Sequence, residues 1–325
     1  MSMDTSSGNK TKETVCAVVV TYNRKNLLLE CLEALLKQTR PLEAIYIIDN
    51  FSSDGTPETL MKSGYIGELP PDGLSEPWEK EFEVKNLTDG KPIRIHYVRM
   101  NENTGGAGGF HEGVKRGYEK GYNWLWLMDD DGLPALDCLE KLLNVGGKGF
   151  DYVAPNLLDE KEASHFEERF KFARTNIINS YGGPFNGVLL SLKLINAIGF
   201  PIKSFYIWGD EIEYCNRIME AGFPVVTVKD AIHHHRRTNI NYKTCTRGYY
   251  FIRNKIYTYR LFHGVYRSKK IYLMGRFYEI LRFMTGCMLV GNITQVWKGL
   301  KGFVHGWFDD LHEAQEEAFW WGITH

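Results

Sequence analysis

Three consecutive carboxylates, Asp129, Asp130 and Asp131, follow an apolar run at 126–128 and precede Gly132. Adjacent like charges repel one another unless a cation neutralises them, and hard divalent ions such as Mg²⁺ or Mn²⁺ prefer carboxylate oxygens. An acidic run can also be a solvated turn. Its position at the carboxyl end of an apolar strand favours a ligand site, because open α/β sheets bind their ligands there. The triplet therefore predicts a divalent metal and, behind the metal, a phosphate.

A second acidic group, Asp210, Glu211 and Glu213, lies just ahead of or inside a predicted helix. The apolar run 205–208 that leads into it indicates a partly buried general base with a raised pKa. Three carboxylates at a helix N-terminus can also do no more than favour the helix dipole, which is a common arrangement. Trp208 beside them can stack on the face of a sugar.

Three histidines, His233, His234 and His235, follow a predicted strand at 225–228. A neutral imidazole from this group can complete a metal site. A lone histidine is more often structural, but three in succession at the end of a strand favour at least one ligand.

Two further loops carry ligand-binding residue types. After the first predicted strand come Thr21, Tyr22, Asn23 and Arg24, a set that suits a nucleobase and a phosphate, although Asn23 can equally cap a helix. The segment 103–110 has four glycines in five positions. Such glycines let the backbone approach a ligand, and the helix that follows can receive an anion at its N–H groups. This segment lacks the position and spacing of a dinucleotide fingerprint.

The elements that would position these residues alternate between strands and helices, which is typical of a parallel sheet with crossover helices. The predicted strands are 15–20, 44–48, 93–98 and 124–128, and the predicted helices are 25–37, 110–120 and one that starts after the turn 53–57. The segment 63–91 is rich in glycine, proline and charge without a clear period, so we interpret it as a surface insertion. Because the loops converge on one edge of the sheet, we expect a single site.

The length of 325 residues and a hydrophobic content of 43% allow one large domain with a C-terminal extension. We expect a disordered start at 1–13, a catalytic domain at 14–240 and a helical extension at 241–325. Six cysteines without a C-x-x-C pair indicate neither a zinc knuckle nor a disulfide framework, which fits a reducing cytosol. The first dozen residues lack the apolar core of a signal peptide, and no stretch reaches the roughly 18 apolar residues of a membrane span.

The C-terminal third is strongly basic. From Arg236 to Lys301 there are 14 lysines and arginines against one acid, Glu279, a local balance of +13 in a chain whose net charge is −1. Aromatic residues are interleaved throughout. A charged helical face that packs its aromatics inward is one interpretation. A nucleic-acid surface is disfavoured, because no nucleic-acid module accompanies it. Attachment to an anionic membrane surface fits best, because basic and aromatic helices lie on such surfaces.

Taken together, these motifs resemble those of a known family. They are VTYNR (20–24), DNFSSDGT (49–56), NTGGAGGF (103–110), LMDDD (127–131), WGDEIEYCNR (208–217) and HHH (233–235). Their order and spacing closely resemble the family 2 inverting glycosyltransferases, which have the GT-A fold. The glycine-rich segment followed by the aspartate triplet looks most like bacterial galactofuranosyltransferases and their rhamnosyltransferase relatives. The resemblance spans about residues 15–260 and implies an α/β, Rossmann-like, mostly parallel sheet with flanking helices, followed by the basic and aromatic helical extension.

The resemblance also implies roles for individual residues. Asp129, Asp131 and His235 would hold Mn²⁺ or Mg²⁺, with His233 and His234 as alternatives to His235. Glu211 matches the catalytic base, but many relatives carry aspartate there, so Asp210 and Glu213 remain open as the base. The donor nucleotide and diphosphate would be held by Thr21, Tyr22, Arg24, Asp49, Asn50, Asn103, Gly105, Gly106 and Asp130. Trp208 and Glu213 would contact the sugar or the acceptor.

The implied function is a metal-dependent transfer with inversion. A sugar, galactofuranose or rhamnose, would pass from a nucleoside diphosphate donor to a glycan or polyprenyl-linked acceptor during cell-surface polysaccharide synthesis. We expect a cytoplasmic protein on the inner face of the cell membrane, with no nucleic-acid partner. A catalytically silent sugar-nucleotide-binding or scaffold protein is the alternative, and a nucleotidyltransferase is a weaker third. Donor sugar, acceptor, linkage and oligomeric state stay open.

Overall fold

The structure is a computed structural model that describes residues 13–159, 161, 170–171, 173–180, 182–235, 241–262, 269–311 and 316. Within 269–311 the side chains of residues 269, 271 and 272 are not described. The disordered start that we predict lies outside the described residues except for its last residue. Parts of the basic segment, at 236–240 and 263–268, lie outside them as well.

One mixed sheet forms the centre of the molecule. Its strands run in the order β3-β4-β2-β1-β5-β9-β7-β10-β6, and β8 pairs with β10. The strands are β1 (Val15–Thr21), β2 (Ala44–Asp49), β3 (Trp78–Lys85), β4 (Pro92–Arg99), β5 (Trp124–Asp129), β6 (Leu133–Pro134), β7 (Tyr152–Leu158), β8 (Ile177–Asn179), β9 (Val188–Ser191) and β10 (Val225–His234). The block β4-β2-β1-β5 is parallel, as the alternating pattern predicts, and β9 joins it antiparallel to β5.

Helices cover the sheet and continue beyond it. They are α1 (Lys25–Leu36), α2 (Thr56–Lys62), α3 (Gly105–Glu119), α4 (Cys138–Gly146), α5 (Leu192–Ile198), α6 (Asp210–Glu220), α7 (Gly248–Phe262), α8 (Lys269–Leu289) and α9 (Ile293–Phe308), with a 3₁₀ turn at Lys203–Phe205. The α/β class with a helical extension is therefore confirmed. All six cysteines are among the described residues and are free thiols. No helix in the described part of the chain is long and apolar enough to cross a membrane.

The central strands form because their residues are apolar on both faces. Strands β1 and β2 are buried along their whole length, as expected for parallel strands covered by helices on both sides. Helix α1 buries Leu28, Leu32 and Leu35 against one face, and α3 packs on the other. The recurrence of apolar residues at helical spacing thus predicts α1 to within one residue of its observed end.

The glycine-rich segment belongs to helix α3 itself, so the prediction of a helix that starts at Phe110 was wrong. Gly109, Gly113 and Gly117 recur every four residues, and a Cβ at these positions would lie within 2.6 Å of side chains of β1 or β5. The glycines let the helix axis approach the sheet closely. Of the glycines in the segment 103–110, Gly109 is therefore explained by packing against β1.

The interpretation of residues 63–91 as an insertion was wrong for 78–85. These residues form β3, the edge strand, which pairs antiparallel with β4. Phe82 and Val84 pack against the core from one face of the strand. The other face carries charged residues, so the strand lacks the continuous apolar run of a buried one, and charge on an exposed edge strand also blocks pairing with other chains.

The three C-terminal helices form a small layer of their own. Helices α7, α8 and α9 share an apolar cluster that includes Ile256, Phe283 and Val296. Helix α7 also contacts the 3₁₀ turn before α6, because Tyr257 packs edge-on against Phe205 with ring centroids 6.0 Å apart. The extension is thus joined to the loop that precedes α6.

Replacing Gly113 with alanine should destabilise the fold, because the added Cβ would lie 2.3 Å from a methyl carbon of Val18. Overpacking of this kind costs about 1–3 kcal/mol. The control is Gly275→Ala in α8, where a Cβ would meet nothing within 4 Å, so the higher helix propensity of alanine should stabilise by about 0.5–1 kcal/mol. Urea unfolding of both variants measures the two changes. Stabilisation by Gly113→Ala would contradict the packing argument.

Candidate active site

Hydrogen-bond register across the sheet brings the predicted residues to one edge. Asp49 pairs with Thr21 in the β1–β2 ladder, and Asp129 pairs with Val20 in the β1–β5 ladder. The chain then turns through Asp130 and Asp131 into β6, which pairs antiparallel with His233 and His234 of β10. Pairing with the short strand β6 thereby places the end of β10 next to the carboxylate triplet.

Three of the predicted metal ligands lie together. Single ligand atoms of Asp129, Asp131 and His235 all lie within 4.8 Å of one another. Burial and the charge of Asp131 raise the pKa of Asp129 to about 7. Burial opposes protonation of His235, but the nearby carboxylate of Asp131 raises the pKa of the imidazole.

The donor set fits a divalent cation. Oδ1 of Asp131 faces Nε2 of His235 at 3.5 Å, which is longer than an ordinary hydrogen bond. Nδ1 of His235 is buried and makes no hydrogen bond among the described residues. Carboxylate oxygens with one imidazole suit Mn²⁺ or Mg²⁺, and a cation among them would relieve the repulsion between the two aspartates.

Of the three histidines, the structure favours His235 as a ligand. His233 is fully buried, and a Cβ on either Gly132 or Gly187 would lie 2.6 Å from one of its ring nitrogens. Burial lowers the pKa of His233 to about 3, so this ring is neutral. It packs beneath the carboxylates between the two glycines.

Asp130 faces the loop that follows β1. Its Oδ2 accepts a hydrogen bond from Thr21 Oγ1 at 2.7 Å, and its Oδ1 lies 2.6 Å from the guanidinium of Arg24. Arg24 also pairs with Asp131 at 2.9 Å, while 40% of its side chain stays exposed. This arginine bridges two carboxylates at the mouth of the site, where it can also meet a phosphate.

The turn after β2 holds the neighbouring loop in place. Asp49 is fully buried and accepts hydrogen bonds from Tyr97 and Arg99. Asn50 donates to the carbonyl of Gly105 at 2.8 Å and accepts from the backbone N–H of Thr104. In this structure both residues organise the walls of the site.

Two exposed aromatic rings lie in the loops at this edge. Tyr22, which we predict to bind the donor, is 44% exposed, and Phe51, which sequence reasoning missed, is 47% exposed. Phe51 has a positive φ of 67°, and Arg99 lies over its ring at 5.0 Å. An exposed ring held in a strained backbone conformation is a candidate for stacking on a base. The only sequence signal is its position within the DNFSSDGT turn.

The start of α3 is tied to two other loops. Asn103 accepts a hydrogen bond from the N–H of Gly105, and Gly105 has a φ of +72°. A Cβ on Gly105 would lie 1.9 Å from the carbonyl oxygen of Tyr206, whereas one on Gly106 would meet nothing within 4 Å. Gly105 is therefore required by the contact with the loop before α6, and Gly106 leaves open space beside the site.

The two candidate bases at the start of α6 have different surroundings. Asp210 is buried, and burial together with the charge and hydrogen bonding of Glu211 raises its pKa well above the ordinary value. Glu211 is half-buried and lines a cavity of about 750 Å³. Of these two carboxylates, Glu211 and not the buried Asp210 lines the cavity.

Glu213 differs from its expected role. It is fully buried, and its Oε1 lies 2.6 Å from Nε of Arg217, one turn further along α6. Arg217 in turn donates to the backbone carbonyls of Ile198 and Phe200. This carboxylate belongs to a core ion pair and does not line the cavity that Glu211 faces.

The loop before α6 is strained and carries Trp208. Tyr206 and Trp208 have positive φ angles of 64° and 65°, which are unfavourable for bulky residues. The ring of Tyr206 stacks on Tyr250 at 4.7 Å, and Arg247 lies over the ring of Trp208 at 5.2 Å. Both rings are thus held by residues of the C-terminal extension.

Two residues that sequence reasoning missed anchor this loop. Asn254 donates from its amide to the carbonyls of Phe205, Ile207 and Trp208, at 2.9, 3.0 and 2.6 Å. Its neighbour Arg253 donates to the carbonyl of Ser204 at 2.6 Å. Both lie in α7, more than 40 positions beyond the loop, where nothing in the local sequence distinguishes them from other polar helix residues.

Comparison with known proteins identifies a family model and a relative that match this chain. The family model described as Glycosyl transferase family 2 matches residues 16–63 and 72–199. The galactofuranosyltransferase GlfT1 of Mycolicibacterium smegmatis is 30% identical over 242 residues, which are 69% of this chain and 71% of that protein.

Two solved proteins share the fold. A mannosyltransferase from Pyrobaculum calidifontis, in complex with GDP-Man and Mn²⁺, superposes with a TM-score of 0.53 at 15% identity and covers 94% of this chain and 79% of that one. Residues 1–349 of S. aureus TarS superpose with a TM-score of 0.58 at 12% identity, covering 94% and 88%. In a longer TarS structure the match covers 80% of this chain and 41% of that chain, with a TM-score of 0.52 and 10% identity.

These likenesses, together with the mixed sheet and its flanking helices, confirm the GT-A fold. With more than half of its length matched by the family model, this chain belongs to glycosyltransferase family 2 and is a glycosyltransferase.

Proposed function

We propose that the protein transfers galactofuranose or rhamnose, with inversion, from a nucleoside diphosphate donor to a glycan or polyprenyl-linked acceptor in cell-surface polysaccharide synthesis. The observation that carries the proposal is the cluster of Asp129, Asp131 and His235, within 4.8 Å of one another, at the carboxyl ends of β5 and β10. The relative named as a galactofuranosyltransferase supports the choice of sugar.

A divalent cation, Mn²⁺ or Mg²⁺, would be held by Asp129, Asp131 and His235. The presence of Mn²⁺ in the mannosyltransferase complex supports this choice. When bound, the cation would neutralise negative charge on the leaving diphosphate. Arg24 lies beside two of the carboxylates and would share the diphosphate, while Tyr22 and Phe51 would offer faces to the nucleobase.

The chain's own base is Glu211. An acceptor in the adjoining cavity would present its hydroxyl to this carboxylate, which would accept the proton as the oxygen attacks the anomeric carbon. Asp210, whose pKa is raised by burial and by Glu211, would hold Glu211 through a hydrogen bond. With one base and no protein nucleophile the displacement is single, so configuration at the anomeric carbon would invert.

Asp131→Ala and His235→Ala should each abolish metal-dependent donor hydrolysis, because each removes a ligand and leaves the core untouched. His234→Ala is the matched control, because His234 is next to His235 in the sequence but is not part of the metal cluster. Hydrolysis is measured across a panel of nucleotide sugars with Mn²⁺, with Mg²⁺ and with EDTA, which also identifies the donor. Normal metal-dependent turnover by both alanine variants would refute the metal assignment.

Glu211→Gln should bind donor normally but transfer sugar at a rate reduced by roughly 10² or more, because glutamine keeps the shape and cannot accept a proton. Glu213→Gln is the matched control on the same helix. It should lower the free energy of unfolding, because it weakens the pair with Arg217. Donor affinity and single-turnover transfer are measured separately. If Asp210→Asn loses transfer and Glu211→Gln does not, the base is Asp210.

An exposed apolar face on α8 and α9 supports membrane association. Its residues are each at least half exposed: Met274, Phe277, Tyr278, Leu281, Met288, Leu289, Ile293, Trp297, Val304 and Phe308. Exposed cations, including Lys270, Arg282, Lys298 and Lys301, lie on the same two helices, whose only acid is Glu279. Apolar and cationic residues on adjoining helices suit an anionic lipid surface, where the chains enter the interface and the cations meet headgroups.

A variant with Lys270, Arg282, Lys298 and Lys301 changed to glutamine should therefore cosediment less with vesicles of phosphatidylglycerol and phosphatidylcholine. Binding of the unchanged protein should weaken as salt rises, because the attraction is electrostatic. The control variant carries the same change at four exposed lysines of the catalytic part, Lys62, Lys85, Lys91 and Lys148. Equal sedimentation of the two variants, or a dimer in solution that covers the face, would contradict membrane association.

A further inference from the structure

The loop before α6, residues 204–209, contains a strained backbone turn. Tyr206 has φ and ψ angles of 64° and −59°, and the N–H of Ile207 donates to the carbonyl of Phe205 at 2.7 Å. These values define a γ-turn of the positive-φ form, which is rare and strained. Trp208 follows at a positive φ of 65°. Such a backbone conformation persists only where surrounding groups hold it in place.

The turn directs the carbonyls of the loop towards two different helices. The carbonyl of Tyr206 accepts a hydrogen bond at 3.1 Å from the N–H of Ala107, in the first turn of α3. Three other carbonyls of the loop converge on the side-chain nitrogen of Asn254 in α7. They belong to Phe205, Ile207 and Trp208. Buried carbonyls are unfavourable without a donor, and Asn254, which is 1% exposed, supplies that donor away from solvent.

The amide of Asn254 is itself held in one orientation. Its Oδ1 accepts a hydrogen bond from Nε of Arg253 at 3.0 Å, so the NH₂ group faces the loop. A Cβ on Gly209 would lie 3.3 Å from the Cβ of Asn254. Gly209, at a φ of +95°, is the last residue before α6, the helix that carries Glu211 near its start. Asn254 therefore contacts the loop at the point where the helix of the proposed base begins.

We propose that Asn254 is a positioning residue for the transfer step, and that its amide holds Glu211 where this carboxylate meets the acceptor hydroxyl. The inference rests on the proposed function, in which Glu211 is the base. A displacement of about 1 Å at a catalytic group costs up to roughly 10² in rate. The start of α3 has a separate support, because Asn50 donates to the carbonyl of Gly105 at 2.8 Å. Loss of the Asn254 amide should therefore affect turnover far more than donor binding.

Asn254→Asp tests the inference, because aspartate keeps the size of the side chain and replaces the donating NH₂ group with an acceptor. Hydrolysis of UDP-galactofuranose and of dTDP-rhamnose is measured with Mn²⁺ on the full chain, with water in the place of the acceptor. The variant should lower kcat about tenfold or more, and it should change the affinity for UDP or dTDP, measured by calorimetry, by less than about twofold. Asn254→Ser, which keeps one hydroxyl donor, should lose less of the rate.

Asn292→Asp is the matched control. The amide of Asn292 also donates to three carbonyls, at 2.9, 3.3 and 3.2 Å, but these belong to residues 242, 243 and 245. Both substitutions should lower the free energy of unfolding, because each leaves three carbonyls without their donor. The control should hydrolyse donor at the rate of the unchanged protein, because its contacts lie outside the loop before α6.

A double variant separates positioning of the base from stability of the fold. With Glu211→Gln and Asn254→Asp combined, hydrolysis should be no slower than with Glu211→Gln alone, because no base is left to position. Rate losses that multiply, or equal kcat values for Asn254→Asp and the control, would overturn the inference and leave the proposed transferase intact. Normal hydrolysis by Glu211→Gln would refute the base, and no metal-dependent hydrolysis by the unchanged protein would refute the proposed function. The inference falls with either of them.

Discussion

Repulsion among the carboxylates at the end of β5 is the constraint on which the site depends. Asp129, Asp130 and Asp131 share one turn, and burial raises the pKa of Asp129 to about 7 and that of Asp130 to about 6. Arg24 and His235 offset part of this repulsion by approaching the triplet from two different strands. Because an uncompensated buried charge is strongly unfavourable, the loops after β1 and β10 must close onto the end of β5. The repulsion among the carboxylates would favour binding of a cation, and it also favours closure of the loops after β1 and β10 around the site.

The position of Glu211, the proposed base, depends on a different part of the chain. The loop before α6 contains two bulky residues at positive φ, a conformation that persists only where the surroundings impose it. Asn254 and Arg253 supply those surroundings through hydrogen bonds to the loop carbonyls, and Gly105 allows Tyr206 to approach α3. Helix α7 therefore anchors the loop that orients Trp208 and Glu211.

Local patterns predict only what depends on local physics. Continuous apolar runs predict β1, β2 and β5, and helical spacing of leucines predicts α1, since burial in this sheet follows directly from those patterns. The carboxylates at the end of β5 and His235, directly after β10, were predicted as metal ligands from residue type and position, and the structure brings them together. The edge strand β3 was missed because only one of its faces packs on the core, and the packing of Gly109 against β1 was missed because a glycine-rich run also suits a ligand. Anchors such as Asn254 act across more than 40 residues, so no local pattern reveals them.

The proposal of Glu211 as the base rests on tertiary structure, because residue types alone leave three candidates open. Asp210, Glu211 and Glu213 are chemically similar and lie within four positions, but residues two apart on a helix point to different sides. Glu213 points inward to Arg217, and Asp210 is buried at the first position of α6, where its pKa is raised. Glu211 alone of the three lines the cavity. Rotation of one helix about its axis thus decides which carboxylate can meet an acceptor, and that rotation is set by the buried ion pair between Glu213 and Arg217.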